Sequence, residues 1–450
     1  MGFTSARPSK GSRTENKKKR FTGDKMICIL MLAIGLLVVI LLTNGLGIQV
    51  SSAETLIFIM FFGLSYFTTL FSSRKLRDVR FVLFVSFLVK VFLLIWDIYA
   101  RNIYKLPSSG TDATNFYNNA VRFAIGMSYW KNSAVSVFGT LMKLFGQTRL
   151  MIQFLLMLLS VASAHLTNET MIMLDISKKN KRKALWFMGL LPNYAIVSCL
   201  FLRESLVTFF VALSLLFFVR WWKNKGEFNF VLAIAVLFVG MIFHSGIVGV
   251  AVGYVGVRFL YNKKQKTYTL NASSVLAAVV LSVVFMYLYN RYSSLFFGKM
   301  SDIDELSDIA SGYGRGGSSY ASIAGNSSNI VNFIIYTPIR IFLFLFTPLF
   351  FQIRGLSDII AMVFSAFFYM WAYYMAFKAL KTNKRDKNLI IALLIVAISV
   401  AFIFGWGGTN IGTNVRHRDK VMPIYITLLA ISFERRPREI KEAEITKLTD

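Results

Sequence analysis

Near-continuous apolar runs recur along the whole chain, separated by short polar turns. A helix needs about 20 apolar residues to cross a hydrocarbon core, and it satisfies its backbone hydrogen bonds internally, as lipid demands. The runs predict spanning helices at 26–48, 54–72, 81–99, 149–173, 184–200, 203–222, 228–243, 246–262, 272–290, 356–377, 388–405 and 420–433. The expected fold class is an all-α polytopic membrane protein with about 12 transmembrane helices. Residues 1–25 read as a disordered basic cytoplasmic tail, 26–433 as the transmembrane domain and 434–450 as a second cytoplasmic tail. Outer loops fall at 100–148, 291–355 and 405–419.

The stretch 336–354 breaks the alternation. As a full span it would reverse every segment after it, and it carries Pro338 and Pro348. Two prolines in so short a run favour a re-entrant element that enters and leaves on the outer side, tolerated where backbone is buried in protein or lines a cavity. Polar groups inside the runs are few. Lys90 is expected to pair with a carboxylate or a backbone carbonyl, with an anionic head group as the other option, and His165 reads as a packing residue. Pro192 interrupts the fifth run.

Charge changes the picture by fixing orientation. The formal net charge is +28, and the lysines and arginines gather in clusters at 17–20, 74–80, 178–183, 220–225, 263–266, 378–387 and 435–441. These fall at alternate turns, as cytoplasmic loops do, so both termini are expected inside and the charge is assigned to topology and membrane lipids, with no nucleic-acid partner. The two cysteines, Cys28 and Cys199, have no ligand spacing and predict neither a disulfide nor a metal site. The first run lacks a small-residue cleavage pattern and reads as an uncleaved span.

Candidate chemistry collects on the other side. Within 201–244, Arg203 and Glu204 open one run and His244 closes the next, so a helical hairpin returns all three to one boundary, where charge is costly. The first outer loop adds Asp112, Tyr117 and Arg122; Asp112 serves equally well as the cap of a following helix. The second adds Arg315 in GYGRGG, which lacks the strand, lysine and helix of a phosphate loop and reads as flexible. The third adds Arg416, His417 and Arg418, against the positive-inside bias. Fixed arginines beside a few bases suit an anionic substrate and a hydroxyl that must lose a proton. Asp112, His244 and His417 are the candidate catalytic groups. Arg203, Arg416, Arg418, Arg315, Tyr117 and Glu204 are candidates for substrate binding, Glu204 also as the partner that orients Arg203 or caps its helix. No HExxH or EF-hand pattern occurs, so neither metal nor cofactor is expected.

Gly110, Thr111 and Asp112 followed by Tyr117, the Arg203 helix start, Phe243 to Ser245, and Asn414 to Arg416 ahead of an apolar run with Pro423 resemble EpsG-type and Wzy-type membrane polysaccharide polymerases. The likeness runs from about residue 81 to 433 as order and spacing, within the wider GT-C-like glycosyltransferases. It implies a bacterial cytoplasmic-membrane enzyme that extends a polysaccharide from undecaprenyl-diphosphate-linked repeat units at the outer face, beside other polysaccharide-assembly membrane proteins. It also implies that Arg203 and Arg416 bind diphosphate and that Asp112 or His244 is the base. Glu204 directly after the arginine, the charged tail and the RHR cluster depart from the pattern. A transporter or flippase of a lipid-linked or anionic substrate is the alternative, and it would place its charges nearer the membrane midplane.

Overall fold

The computed structural model describes residues 50–127, 133–269, 320 and 330–434. The expected spans at 26–48 and 272–290, both tails beyond these limits and Arg315 lie outside the described residues. Helices follow in the order α1 (Val50–Ser72), α2 (Arg80–Tyr99), α3 (Thr111–Ala124), α4 (Ser133–Phe145), α5 (Arg149–Met173), α6 (Lys178–Leu190), α7 (Pro192–Val197), α8 (Glu204–Trp222), α9 (Phe228–Phe243) and α10 (Val248–Leu260). After a two-residue hairpin pairing Tyr261 with Tyr268 come α11 (Ile330–Phe346), α12 (Leu356–Ala361), α13 (Phe367–Thr382), α14 (Lys387–Gly407), α15 (Ile411–Asp419) and α16 (Met422–Ser432). A π-helical turn at Met362–Ala366 joins α12 to α13, so that 356–382 runs as one rod.

This is an all-α membrane protein. Among the described residues five helices are long and apolar enough to cross a bilayer: Arg80–Tyr99, Arg149–Met173, Glu204–Trp222, Leu356–Thr382 and Lys387–Gly407. Shorter apolar helices, including Phe228–Phe243, Ser245–Leu260 and Met422–Ser432, pack among them. The expected single span over 184–200 is instead two helices, because Pro192 cannot continue α6 but fits the first position of α7, where its missing N–H is no loss.

At the centre, α8 packs against α5 and α9, while α10 packs along α14. With no water to expel between helices, close backbone approach supplies the attraction. Gly249 and Gly253 give α10 that face: a Cβ at Gly253 would sit 2.6 Å from the Val396 Cα. Lys90, inside α2, donates to the Ser160 hydroxyl at 2.6 Å and lies 5.0 Å from the Tyr194 ring centre. A hydroxyl and an aromatic face thus stand where a carboxylate or carbonyl was expected.

The basic turns meet at one end of the bundle. Lys75 pairs with Glu169, Lys178 with Asp78, Lys223 with Asp175 and Lys263 with Glu227, at 2.8 to 3.3 Å. Asn388 donates to the Lys266 carbonyl, and Glu434 accepts from Ser177 and Asn180. The opposite end gathers the connections from α2 to α3, α7 to α8, α9 to α10 and α14 to α15. There α11 packs on α14: Trp406 donates to Thr337 at 3.0 Å, and Phe344 stacks on Phe404. The end of α11 reaches Tyr373, well inside the 356–382 rod, with Phe346 6.4 Å away, and the chain returns to Leu356 without a helix.

Candidate functional site

Four local devices carry the candidate residues to the end opposite the basic turns. Asn410 caps α15 by accepting the Thr413 amide, which sets the phase of the helix bearing Arg416 and His417. Arg203 precedes α8 and reaches across to donate to the Phe243 carbonyl at 3.0 Å, at the C-terminus of α9. A cation is favoured at that dipole end. The next residue, His244, is extended, and its ring accepts the Gly246 amide at 3.2 Å. Gly246 has to be glycine, since a Cβ there would collide with the Phe404 ring. Finally, Gly110 starts α3 and puts Asp112 in its first turn.

These pieces converge. Arg416 donates to Asp112 Oδ2 at 2.7 Å, with the carboxylate side 59% exposed and the guanidinium 15% exposed, so the pair lies open on one side. Asp112 therefore faces α15 across the site, with no side-chain cap on α3. His244 Nε2 lies 3.2 Å from His417 Nε2, and both rings pack on Phe404. Because Gly246 donates to His244 Nδ1, the neutral His244 carries its proton on Nε2 and gives it to His417 Nε2. His417 is thereby the Nδ1–H tautomer, and that nitrogen is buried with no hydrogen-bond partner. Burial holds both imidazoles well below their ordinary pKa, reinforced by Lys420, Arg203 and Arg416.

Glu204 is buried and accepts from Lys420 Nζ at 3.3 Å. It was expected to orient Arg203 or cap its helix; it stands in the first turn of α8 next to Arg203, its hydrogen bond is with the lysine that follows the RHRD run, and Glu204 Oε2 has no hydrogen-bond partner. Arg418 points the other way from Arg416. Fully buried, it donates to the carbonyls of Phe344, Leu345 and Thr347, closing the C-terminus of α11, and lies 5.5 Å from the Tyr369 ring centre. Asp419 accepts from Tyr369, and burial pushes its carboxyl up to about 7. Tyr117 stands behind the site, edge-on to Phe201 at 5.5 Å, with its hydroxyl 3.5 Å from the Gln147 carbonyl.

The structure thus brings together Asp112, Arg203, Glu204, His244, Arg416 and His417, keeps Tyr117 at the margin and places Arg418 in the frame. Lys420 was missed, although its position beside four charged or titratable residues at a helix mouth was a visible signal. No group of three or more His, Cys, Asp or Glu able to hold a metal occurs among the described residues. The chain matches no protein-family model, no curated protein and no solved structure.

Proposed function

We propose that this protein is a membrane glycosyltransferase that extends a polysaccharide from lipid-diphosphate-linked repeat units, working at the outer face of a bacterial cytoplasmic membrane. The observation that carries the proposal is the convergence of Arg203, Arg416 and Lys420 with Asp112 and an imidazole pair at the end opposite the basic turns. In this reading the chain crosses the bilayer about 12 times with both termini cytoplasmic, and α11 with its return to Leu356 is a re-entrant element.

The chemistry follows from which lone pairs are open. The Nε2 atoms of His244 and His417 are committed to each other and His244 Nδ1 to Gly246. Asp112 has one oxygen on Arg416 and lies mostly exposed. Asp112 is then the base: it takes the proton of the attacking sugar hydroxyl as the new bond to the anomeric carbon forms. The bond from that carbon to the diphosphate oxygen breaks, and the leaving lipid diphosphate keeps the electron pair. Arg416, with five donors and one atom used by Asp112, and Arg203 stabilise that charge. The test is extension of a lipid-diphosphate oligosaccharide by the purified full-length protein in vesicles. Arg203→Ala and Arg416→Ala are each expected to slow extension about 100-fold in folded protein; intact extension in both would overturn the proposal.

One feature favours transport of a lipid-linked anion as a second reading. Arg418, Asp419 and Lys420 are all buried, and Arg418 and Asp419 reach Tyr369 halfway along the 356–382 rod. Movement of unmodified substrate across vesicles, without new glycosidic bonds, would decide for it.

A further inference from the structure

Asp97 belongs to neither set of candidate residues, yet among the described residues it is the best-satisfied buried carboxylate at this end of the bundle. It sits near the end of α2 with its side chain fully inaccessible. Ser109 donates to Oδ1, while Arg149 at 3.1 Å and Gln153 at 2.9 Å donate to Oδ2. A carboxylate taken out of water is tolerated only when paired and hydrogen-bonded in this way.

Two chain segments hang from this group. Ser109 is the residue before Gly110, where α3 starts, so its bond to Asp97 fixes the entry to the turn that bears Asp112. Arg101 holds the same entry from the other side, donating to the Ser109 carbonyl at 2.6 Å and to the Thr114 hydroxyl at 3.1 Å. Gln153 uses the amide that reaches Asp97 to donate also to the Cys199 carbonyl at 2.7 Å, on the irregular segment that runs to Arg203. Arg149 donates to Gln153 at 2.9 Å and lies 5.9 Å from the Tyr117 ring centre. The two segments also share an apolar cluster of Leu106, Ala113, Ile196, Leu200 and Leu202. Apolar contact is non-directional and holds segments together without setting their register. Hydrogen bonds set it.

We infer that Asp97 is a positioning residue that holds the Asp112 turn and the Arg203 segment in one register, through Ser109 on one side and Gln153 on the other. This inference rests on the proposed function for its catalytic consequence, but its structural half stands without it. Asp97→Asn keeps the shape and offers one carbonyl oxygen. Its amide can donate to the Ser109 hydroxyl while its oxygen accepts from Arg149 and Gln153, so both arms lose a bond to a charged carboxylate and are weakened together.

The experiment uses the full-length protein in lipid vesicles with Asp97→Asn, Ser109→Ala and Gln153→Met, reading amide hydrogen exchange over 110–116 and 199–204. Asp97→Asn is expected to speed exchange about tenfold in both segments while α8 beyond its first turn and α14 stay protected. Ser109→Ala speeds only the first segment and Gln153→Met only the second. With lipid-diphosphate oligosaccharide, Asp97→Asn is expected to lower kcat about 100-fold, the scale of a small misplacement, with KM within about threefold of the parent. Protection of both segments in Asp97→Asn, or loss of protection spread equally through α8 and α14, overturns the inference. If the two segments respond as expected but the parent protein extends no lipid-diphosphate oligosaccharide, the functional proposal falls and the coupling through Asp97 stands.

Discussion

Arg416 and Arg418 stand two residues apart on α15, in a run where sequence treats them alike, yet they face opposite environments. Two residues on a helix are about 200° apart, so one side of α15 opens toward Asp112 and the other is buried against α11. The open arginine makes one ion pair with a carboxylate 59% exposed. The buried one gives its donors to three carbonyls that α11 cannot satisfy itself. A cation held by one open contact can engage a ligand; a cation enclosed by backbone oxygens holds the frame that presents the other.

The contrast makes Arg418→Ala the most damaging change. Three carbonyls would lose a charged donor, costing about 4.5 kcal/mol or more, since hydrogen bonds to charged groups are worth about 1.5–3 kcal/mol each. Arg418→Lys is expected to recover little, because an ammonium cannot reproduce the planar fork. Thermal unfolding of detergent-solubilised protein measures this, and an Arg418→Ala midpoint equal to that of Arg416→Ala would erase the distinction between the two faces.

Next in size is Lys420→Met, which strands the buried Glu204 carboxylate at a cost of about 3–5 kcal/mol. Adding Glu204→Leu is expected to restore most of the loss. A double variant no better than the single one would show that the ion pair is not what Lys420 contributes.

The imidazole pair supplies a smaller, pH-dependent term. Burial and the neighbouring cations hold both histidines below their ordinary value when folded, so on acidification the unfolded chain takes up protons first. The parent is expected to lose more stability than His244→Gln on acidification below about pH 6.5, where the unfolded imidazoles take up protons. Denaturant titrations of parent and variant at several pH values read the difference, and identical pH profiles would contradict the neutral pair.

Smallest in stability is Arg416→Ala, within about 1 kcal/mol because its ion pair is open to solvent. Its effect belongs to turnover, where a loss of about 100-fold is expected from the missing charge at the leaving group. Unfolding and extension assays on one preparation check both halves.

Much of this architecture was legible beforehand. The long apolar runs became α2, α5, α8 and α14, and the basic clusters met at one end, because lipid imposes length and internal hydrogen bonding on any crossing segment. The hairpin of α8 and α9 returned His244 to Arg203 for the same reason. The partners were not legible. Glu204 took Lys420 across more than two hundred residues of chain, Lys90 took a hydroxyl and a ring, and Pro192 split one expected span into two helices. Asp97 looked like a polar residue ending a span, with nothing nearby in sequence to announce Arg149, Gln153 or Ser109 as its donors.

By itself, then, the sequence determined an all-α membrane chain and the end at which its costly polar groups gather, since hydropathy and charge placement act locally along the chain. Only the tertiary structure decided which of those groups meet and which are enclosed. That choice depends on helix phase and on packing between distant segments: a rotation of about 100° per residue separates Arg416 at the site from Arg418 beneath it.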